Sequence, residues 1–285
     1  MFILTILLFL AFTANSALAV VGHRFVMIPP DAHGTALGET GVSYNPGGTG
    51  IWWNPAHLCG RTDLWLEGWS WMGEGRGSFG GARVGSDKGG LGAYYINLGL
   101  PGFEARDRPG DSQGEFTLHQ AVFATGAGWS VFPFLQTGAI VKAHIEDIYG
   151  KRYQSPAYFD FGIKSNYGPW ETGLAVRNLT TRRHPDTPAT IQAGLSREYA
   201  IGALNLRGIG EGSLEQGGDR HLHLGAECSW MQRLALRMGW SSGHDARGLT
   251  FGLGAAAGRY RVDWAWLPFR HELGDSWRMG IAVGI

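Results

Sequence analysis

The last 27 residues of this chain alternate, with few exceptions, between large apolar side chains and small or charged ones. The apolar positions are Tyr260, Val262, Trp264, Trp266, Trp277, Met279, Ile281, Val283 and Ile285. The positions between them include Arg261, Asp263, Arg278 and Gly280. A period of two residues predicts β-strands, and this distribution is typical of strands that separate lipid from a narrow polar lumen. An edge strand of a soluble sandwich alternates in the same way, so the rest of the chain has to decide between the two folds.

The beginning of the chain has the form of a secretory signal peptide. Residues 2–13 are all apolar or hydroxylic, and Ala17-Leu18-Ala19 forms an A-x-A cleavage site. We therefore expect residues 1–19 to be removed on export. After them, no run approaches the roughly 20 apolar residues that a membrane helix needs. A membrane-embedded form must then be a closed barrel, because lipid cannot satisfy the backbone groups of an open sheet edge.

Charge and cysteine content narrow the possible partners. The 24 basic side chains balance the 24 acidic ones, which indicates neither a nucleic-acid partner nor a polybasic lipid anchor. The two cysteines, Cys59 and Cys228, could form a disulfide in an oxidising compartment. We favour unpaired apolar roles, because Cys228 shares a strand face with Leu224 and Ala226.

The region from residue 62 onward reads as fourteen alternating strands. They are predicted near residues 62–71, 75–85, 89–98, 114–128, 132–147, 157–167, 170–179, 188–197, 199–207, 219–230, 232–241, 247–257, 259–267 and 275–285. An even number of strands with this spacing fits tilted membrane strands of about 9–11 residues joined by turns. Tryptophans recur near the predicted strand ends, as in aromatic girdles: Trp65, Trp129, Trp170, Trp230, Trp240, Trp266 and Trp277.

The predicted connections differ in length between the two ends of the strands. Connections after even-numbered strands are short, such as Gly168-Pro169, Glu198 and Gly258. Most connections after odd-numbered strands are long and polar, namely residues 99–113, 148–156, 180–187 and 208–218. This difference predicts an outer-membrane barrel with both termini in the periplasm, and a sandwich has no reason to show it.

Residues 20–61 do not follow the strand pattern. Asn45-Pro46-Gly47-Gly48 and Asn54-Pro55 are turn formers, so this stretch cannot face lipid as a strand. Its composition is not that of a disordered region either, which indicates a segment folded into the lumen. The predicted organisation is a signal peptide over residues 1–19, a hatch or plug over 20–61 and an all-β transmembrane barrel over 62–285.

The amino-terminal motifs resemble a known family. Thr35-Ala36-Leu37-Gly38 and the later Trp52-Trp53-Asn54-Pro55-Ala56-His57 are similar to the signature of the PorV/PorQ family, within the wider group of FadL-like (fatty-acid-transporter-like) barrels. Further motifs follow in order at residues 160–162, 173–179, 236–240 and 273–278.

The resemblance implies a fourteen-stranded barrel plugged by its amino-terminal segment. It also implies a hatch or gating role for Asn54, Pro55, Ala56 and His57. Three residues depart from the family pattern: Glu39 in a run that is usually richer in glycine, His57 in place of glycine, and Ile285 in place of a terminal phenylalanine.

The alternation places many charged side chains in the lumen. We predict a luminal polar network that contains Lys142, Asp160, Arg177, Glu227, Arg237, Arg261 and Asp263. Such a set could form a charged conduit or bind an anionic head group. We favour cross-strand ion pairs that fill the barrel and hold the segment, because isolated buried charges are costly.

Other chemistry finds little support in the sequence. His221 and His223 lie two residues apart and could bind a metal, but the sequence places no third ligand. Neither a nucleophile elbow nor a phosphate-binding loop is present. We therefore expect no catalytic residue, no metal and no cofactor.

Two functions remain open at this point. The PorV/PorQ resemblance implies an accessory barrel of type IX-like protein secretion, with secreted cargo proteins as partners of the long loops. The alternative is a FadL-like channel that takes up or exports a hydrophobic small molecule, and a purely structural barrel is a third option. In every case we expect an outer-membrane location, with outer-membrane lipid and the barrel assembly machinery as partners.

Overall fold

A computed structural model describes residues 24–105, 114–155, 157–180 and 187–285. The predicted signal peptide lies outside these residues, as do residues 106–113 and 181–186 of two long connections. The strands are β1 (Asp63–Trp71), β2 (Gly75–Ser86), β3 (Gly89–Glu104), β4 (Glu115–Phe132), β5 (Leu135–Ile148), β6 (Lys151–Gln154), β7 (Tyr158–Tyr167), β8 (Trp170–Thr180), β9 (Thr190–Ile201), β10 (Leu204–Glu215), β11 (Arg220–Trp230), β12 (Leu234–Ser241), β13 (Leu249–Ala257), β14 (Tyr260–Pro268) and β15 (Asp275–Gly284).

These strands form one antiparallel sheet that closes on itself. β1 pairs with β15 from Asp63 opposite Gly284 to Trp69 opposite Arg278. Fourteen strands make up the wall, and β6 is a short addition that pairs only with the end of β5. Every wall strand therefore has two neighbours, so the sheet has no open edge for lipid to meet. The predicted fourteen-stranded all-β barrel is confirmed.

The two ends of the barrel have different connections. At one end, the short-turn end, the strands are joined by residues 87–88, 133–134, 168–169, 202–203, 231–233 and 258–259. At the other, the long-connection end, most links are longer, for example residues 149–157, 242–248 and 269–274. The turns over residues 72–74 and 216–219 are the short exceptions at this end. The difference expected from the sequence is therefore present.

Several predicted connections are partly or wholly strand: residues 99–104 belong to β3, and residues 151–154 form β6. Residues 208–218 were expected to be a long outer loop, but β10 runs to Glu215. Gly208, Gly210 and Gly212 occupy outward positions of that strand, so the period of two continues through an apparently loop-like sequence. Glu198 is not a connection either, because β9 extends to Ile201.

The wall carries apolar side chains outside and polar ones inside. Leu64, Leu66, Val84, Leu91, Leu236 and Met279 are exposed, whereas Asp160, His144 and Arg278 are fully buried. This distribution is the reverse of a soluble protein and is typical of a barrel surrounded by lipid. Trp129, Trp230 and Trp277 are exposed as expected, but Trp65 points into the lumen and is 4% exposed, so its assignment to a girdle was wrong.

The amino-terminal segment, residues 24–61, contains only short helices. They are 3-10 helices at Arg24–Met27, Gly48–Trp52 and Pro55–Leu58, and the α-helix α1 at Ala32–Ala36. α1 packs against β12, β13, β14 and β15, whereas the helix at Pro55–Leu58 packs against β2, β3, β4, β5 and β7. A segment that touches opposite sides of a closed barrel lies within it. Among the described residues, no helix combines the length and hydropathy needed to cross a membrane.

The closed wall predicts a heat-modifiable electrophoretic mobility. We expect unboiled protein in dodecyl sulfate to migrate faster than boiled protein, because a barrel without edges resists unfolding until it is heated. The measurement is a gel of paired boiled and unboiled samples. Identical migration of the two samples would contradict a closed barrel.

Candidate functional site

The amino-terminal segment is organised around one buried carboxylate. Asp31 caps α1 by accepting a hydrogen bond from Gly34 N at 2.8 Å. It also accepts from Trp53 Nε1 at 2.7 Å and from Asn45 Nδ2 at 3.1 Å. Burial raises the pKa of Asp31, and these donors counteract that rise. One side chain therefore joins three separate stretches of the segment into a single folded unit.

The wall holds this unit through inward-facing polar side chains. Glu211 of β10 accepts hydrogen bonds from the backbone N–H groups of Gly41, Val42 and Ser43 at 2.9–3.2 Å. It also accepts from Ser43 Oγ at 2.8 Å. A charged acceptor with several donors makes strong hydrogen bonds, so Glu211 ties the segment to β10.

Strands on the other side of the lumen add further attachments. Thr250 of β13 accepts a hydrogen bond from Gly38 N at 3.0 Å and donates one to Ala36 O at 3.1 Å. Glu67 of β1 accepts from Ala32 N at 2.7 Å, and Arg278 of β15 donates to Pro29 O at 2.8 Å. None of these four wall residues, including Glu211, belongs to the luminal network predicted from the sequence. The inward phase of the strand alternation was the only signal that pointed to them.

The predicted hatch residues lie together against the wall. Asn54 Nδ2 donates to Val42 O at 2.9 Å and to Ile163 O of β7 at 3.0 Å, and Asn54 Oδ1 accepts from Ala56 N at 2.9 Å. His57 Nε2 lies 3.0 Å from Gly41 O, and His57 O accepts a short hydrogen bond from Arg83. Burial lowers the pKa of His57 well below its usual range, so the ring is neutral at pH 7.

Glycines in the wall leave room for this packing. A Cβ at Gly162 would lie 1.9 Å from Asn54 Oδ1, and one at Gly138 would lie 2.3 Å from Pro55 O. Pro55 and its neighbours can therefore sit directly on the strand backbone of β5 and β7. The contact places the Asn-Pro-Ala-His turn beside the wall.

The predicted luminal network forms two ion-pair clusters and one separate arginine. In the first cluster, Lys142 Nζ lies 2.7 Å from Asp160 Oδ2 and donates to Asn178 Oδ1 at 2.6 Å. Asn178 adopts the left-handed conformation (φ +60°) where the register of β7 and β8 is irregular. Its backbone N–H donates to Asp160 Oδ1 at 2.7 Å, so this cluster stabilises the irregularity.

The second cluster lies under α1. Arg237 donates to Glu227 at 2.6 Å and to Asp263 at 2.7 Å, and Arg261 Nε lies 2.7 Å from Asp263. His33 of the segment reaches Glu227 at 3.5 Å. Six of the seven predicted residues therefore form close ion pairs within these two clusters, as in the structural interpretation that we favoured over a conduit.

Arg177 is the seventh residue and stands apart. Its guanidinium lies over the Trp52 ring at 4.5 Å from the ring centre, and Nη2 donates to Gln192 Oε1 at 3.1 Å. Its Nε has no hydrogen-bond partner among the described residues. Of the seven predicted network residues, only Arg177 lines the main cavity of the lumen.

This cavity has a volume of about 1040 Å³ and lies between the amino-terminal segment and the described part of the long-connection end. One wall is apolar and consists mainly of Leu98, Leu100, Phe103, Phe116, Leu118 and Ile148 from β3, β4 and β5. The opposite wall is polar and includes Arg177, Gln192, Glu215, His221, His223, His244 and Arg247. Trp52, Trp53 and Phe25 of the segment form the floor. The cavity can therefore hold a largely apolar molecule that has a small polar part.

The polar wall contains an ion pair between the segment and the connection over residues 242–248. Arg247 Nη1 lies 2.5 Å from Glu39 Oε1. Burial raises the pKa of Glu39, but the charges of Arg247 and then His244 outweigh it and hold the pKa at about 2. Burial and the neighbouring Arg247 lower the pKa of His244 to about 4. At pH 7 the pair is therefore a carboxylate with one guanidinium, beside a neutral imidazole.

The described part of the chain was expected from the sequence to hold no metal site, and its cysteines were expected to be unpaired. No three His, Cys, Asp or Glu side chains converge there in a way that could hold a metal ion. Cys59 and Cys228 are both unpaired, and Cys59 lies in the segment while Cys228 lies on β11.

The glycine contact at Asn54 predicts a specific sensitivity to substitution. Gly162→Val places a side chain where Asn54 Oδ1 lies, so we expect a loss of stability of about 2 kcal/mol or more. Gly208→Val is the matched control, because nothing lies within 4 Å of a Cβ at that position. The measurement is thermal unfolding of detergent-purified protein, and equal melting temperatures of the two variants would contradict the docking of Asn54.

The pKa of Glu39 predicts that the difference in melting temperature between the wild type and Glu39→Gln depends on pH. Because the pKa is lower in the folded protein than the usual 4.5, Glu39 stabilises the fold fully above about pH 4.5. That stabilisation is lost as the pH falls from 4.5 to about 2. We expect the wild type to melt higher at pH 7, with the gap closing between pH 4.5 and 2. A gap that is constant over this range would count against the ion pair.

Comparisons with known proteins place the fold. No family model and no curated protein sequence matches this chain. Among solved structures, the CymD monoaromatic hydrocarbon channel is 12% identical with a TM-score of 0.60, over 90% of this chain and 96% of that one. The Pseudomonas putida toluene transporter TodX is 12% identical with a TM-score of 0.54, over 95% of this chain and 99% of its own.

A Pseudomonas aeruginosa FadL homologue is 9% identical with a TM-score of 0.54, over 90% of this chain and 98% of that one. At such identities the likeness concerns the fold alone. This chain therefore has the fold of FadL-type barrels, and it spans nearly the whole length of each of these three structures.

Proposed function

We propose that this protein is an outer-membrane channel for a hydrophobic small molecule. The supporting observation is the cavity of about 1040 Å³, which is lined by residues near the long-connection end and has one apolar wall. Its volume is at the upper end of the range of pockets that hold small ligands, about 300–1000 Å³. The fold shared with two hydrocarbon channels and a FadL homologue supports the same function. In this arrangement the long connections face outward and the short turns face the periplasm.

The amino-terminal segment acts as a hatch in this proposal. It forms the cavity floor through Phe25, Trp52 and Trp53, and its Asn-Pro-Ala-His turn packs on β5 and β7 beyond that floor. A solute in the cavity can therefore pass along the barrel axis only if part of the segment moves. The hydrogen bonds that Glu211 and Thr250 accept from the backbone of the segment make such movement costly, which keeps the barrel closed without a solute.

Protein secretion is the less favoured function. It rests on the resemblance of residues 35–42 and 50–58 to the PorV/PorQ signature, and no matching family model adds to it. The solved structures with a similar fold are described as a hydrocarbon channel, a toluene transporter and a FadL homologue. A folded-protein cargo would not use an apolar cavity of this size, whereas a small hydrophobic solute would.

The two functions predict different losses when the gene is deleted. A hydrophobic-solute channel predicts slower uptake of toluene or oleate by intact cells, with normal surface proteins. A secretion role predicts cargo proteins retained in the periplasm, with normal uptake. Mass spectrometry of the purified protein in a mild detergent should also detect a bound apolar molecule, and normal uptake together with a clean spectrum would contradict the channel.

A pair of substitutions tests the apolar wall directly. Leu118→Gln makes that wall polar, and we expect toluene uptake to fall about tenfold, because burying apolar ligand surface there becomes less favourable. Asp245→Asn changes a polar residue that also lines the cavity, and we expect uptake near the wild-type rate. Equal rates for the two variants would indicate that the solute does not contact the apolar wall.

A further inference from the structure

The connection over residues 242–248, here called the β12–β13 loop, holds one carboxylate of the segment. Arg247 Nη1 lies 2.5 Å from Glu39 Oε1, and His244 Nε2 lies 3.8 Å from Glu39 Oε2. Arg247 Nη2 also lies 3.1 Å from His244 Nδ1. The side chain of Glu39 is only 5% exposed, and the two side chains that pair with it, Arg247 and His244, belong to this loop.

The backbone at this point needs support. Glu39 has φ +65°, in the left-handed region that side-chain residues seldom adopt, directly after Gly38 at φ +77°. Gly38 has to be glycine, because its Cβ would lie 2.5 Å from Leu224 O. A left-handed residue persists only where its surroundings over-determine it. The ion pair with Arg247 is the interaction of the Glu39 side chain that can do this.

The ion pair also borders the space that a solute would occupy. Glu39, His244 and Arg247 all line the main cavity. The His221 ring stacks on the His244 ring with centres 4.0 Å apart, and His221 Nε2 lies 3.3 Å from Glu215 Oε1. A molecule that enters from the long-connection end therefore meets the β12–β13 loop and its ion pair beside the cavity floor.

We propose that Glu39 and Arg247 form a latch by which the β12–β13 loop holds the amino-terminal segment closed. A solute that displaces the loop separates the two side chains and leaves a buried carboxylate without its cation. The left-handed turn at Glu39 then keeps only the hydrogen bonds made by its backbone groups, among them Glu39 N to Gly34 O at 3.0 Å and Gly38 N to Thr250 Oγ1 at 3.0 Å, and the segment leaves its closed position more readily. The proposal depends on the proposed function only for what the solute is.

Ion current through single barrels tests the latch without any solute. Full-length protein is reconstituted in planar bilayers in KCl, where current requires only that the segment moves aside. We expect Glu39→Gln and Arg247→Gln each to raise the ratio of conducting to closed time about tenfold, which corresponds to about 1.4 kcal/mol. Asp219→Asn is the matched control, because it removes a contact of 4.0 Å between the segment's Arg24 and another loop in which both side chains are largely exposed. This control should conduct as the wild type does.

Hydrogen exchange of the same proteins gives a second readout. We expect faster exchange at residues 37–43 in the latch variants and unchanged exchange at residues 54–57, which are held by other contacts.

If either latch variant fails to give a heat-modifiable barrel, Arg247→Lys replaces it. Lysine keeps the charge without the guanidinium geometry, so a smaller rise in current is expected. Wild-type current and wild-type exchange in the folded variants would overturn the latch. Absence of toluene uptake with raised KCl current would overturn only the proposed function.

Discussion

Closure of the sheet between β1 and β15 is the constraint on which the remaining structure depends. Once Asp63 pairs with Gly284, every strand of the wall has a partner on both sides and the ring leaves no open edge for lipid to meet. The outer face can then be largely apolar, and most charged side chains of the strands are accommodated inside. The interior therefore contains many charged side chains, and each of them needs an ion-pair or hydrogen-bond partner there.

The amino-terminal segment provides many of those partners. Its backbone N–H groups satisfy Glu211 and Glu67, and its carbonyl at Pro29 satisfies Arg278. Its tryptophans cover Arg177, whose guanidinium lies 4.5 Å from the Trp52 ring centre. The segment therefore supplies partners for one part of the inward polar side chains. Others pair with each other in the two ion-pair clusters. A wall with these charges and no segment would expose unpaired groups in a narrow space.

The strands and the luminal positions could be predicted from the sequence because both depend on a period of two. The fourteen strands and the inward direction of residues such as Lys142 and Asp263 follow from that period, and closure follows from the need to satisfy the sheet edges in lipid. The failure at β10 has a physical cause: outward glycines look like a loop, although lipid-facing positions need no particular side chain.

The attachments of the segment could not be predicted. Glu211 binds Gly41 across 170 residues of sequence, and Thr250 binds Gly38 across 212. No local pattern encodes which inward side chain will face which part of an irregular segment. The Asn-Pro-Ala-His turn was recognisable as a motif, but its support by Gly138 and Gly162 depends on how the barrel closes.

The inward glycines have a consequence for how the barrel assembles. A Cβ at Gly239 would lie 1.9 Å from Gly38 N and 2.2 Å from Leu37 C, which is too close for any side chain. Gly239 lies between the outward Met238 and Trp240. A strand that pairs one residue out of register would turn one of these bulky side chains into the lumen, where the segment already lies. The segment therefore checks the pairing of the strands around it: a correctly registered wall can close over it, and a slipped one cannot. The amino-terminal segment thus restricts the register of the strands that surround it.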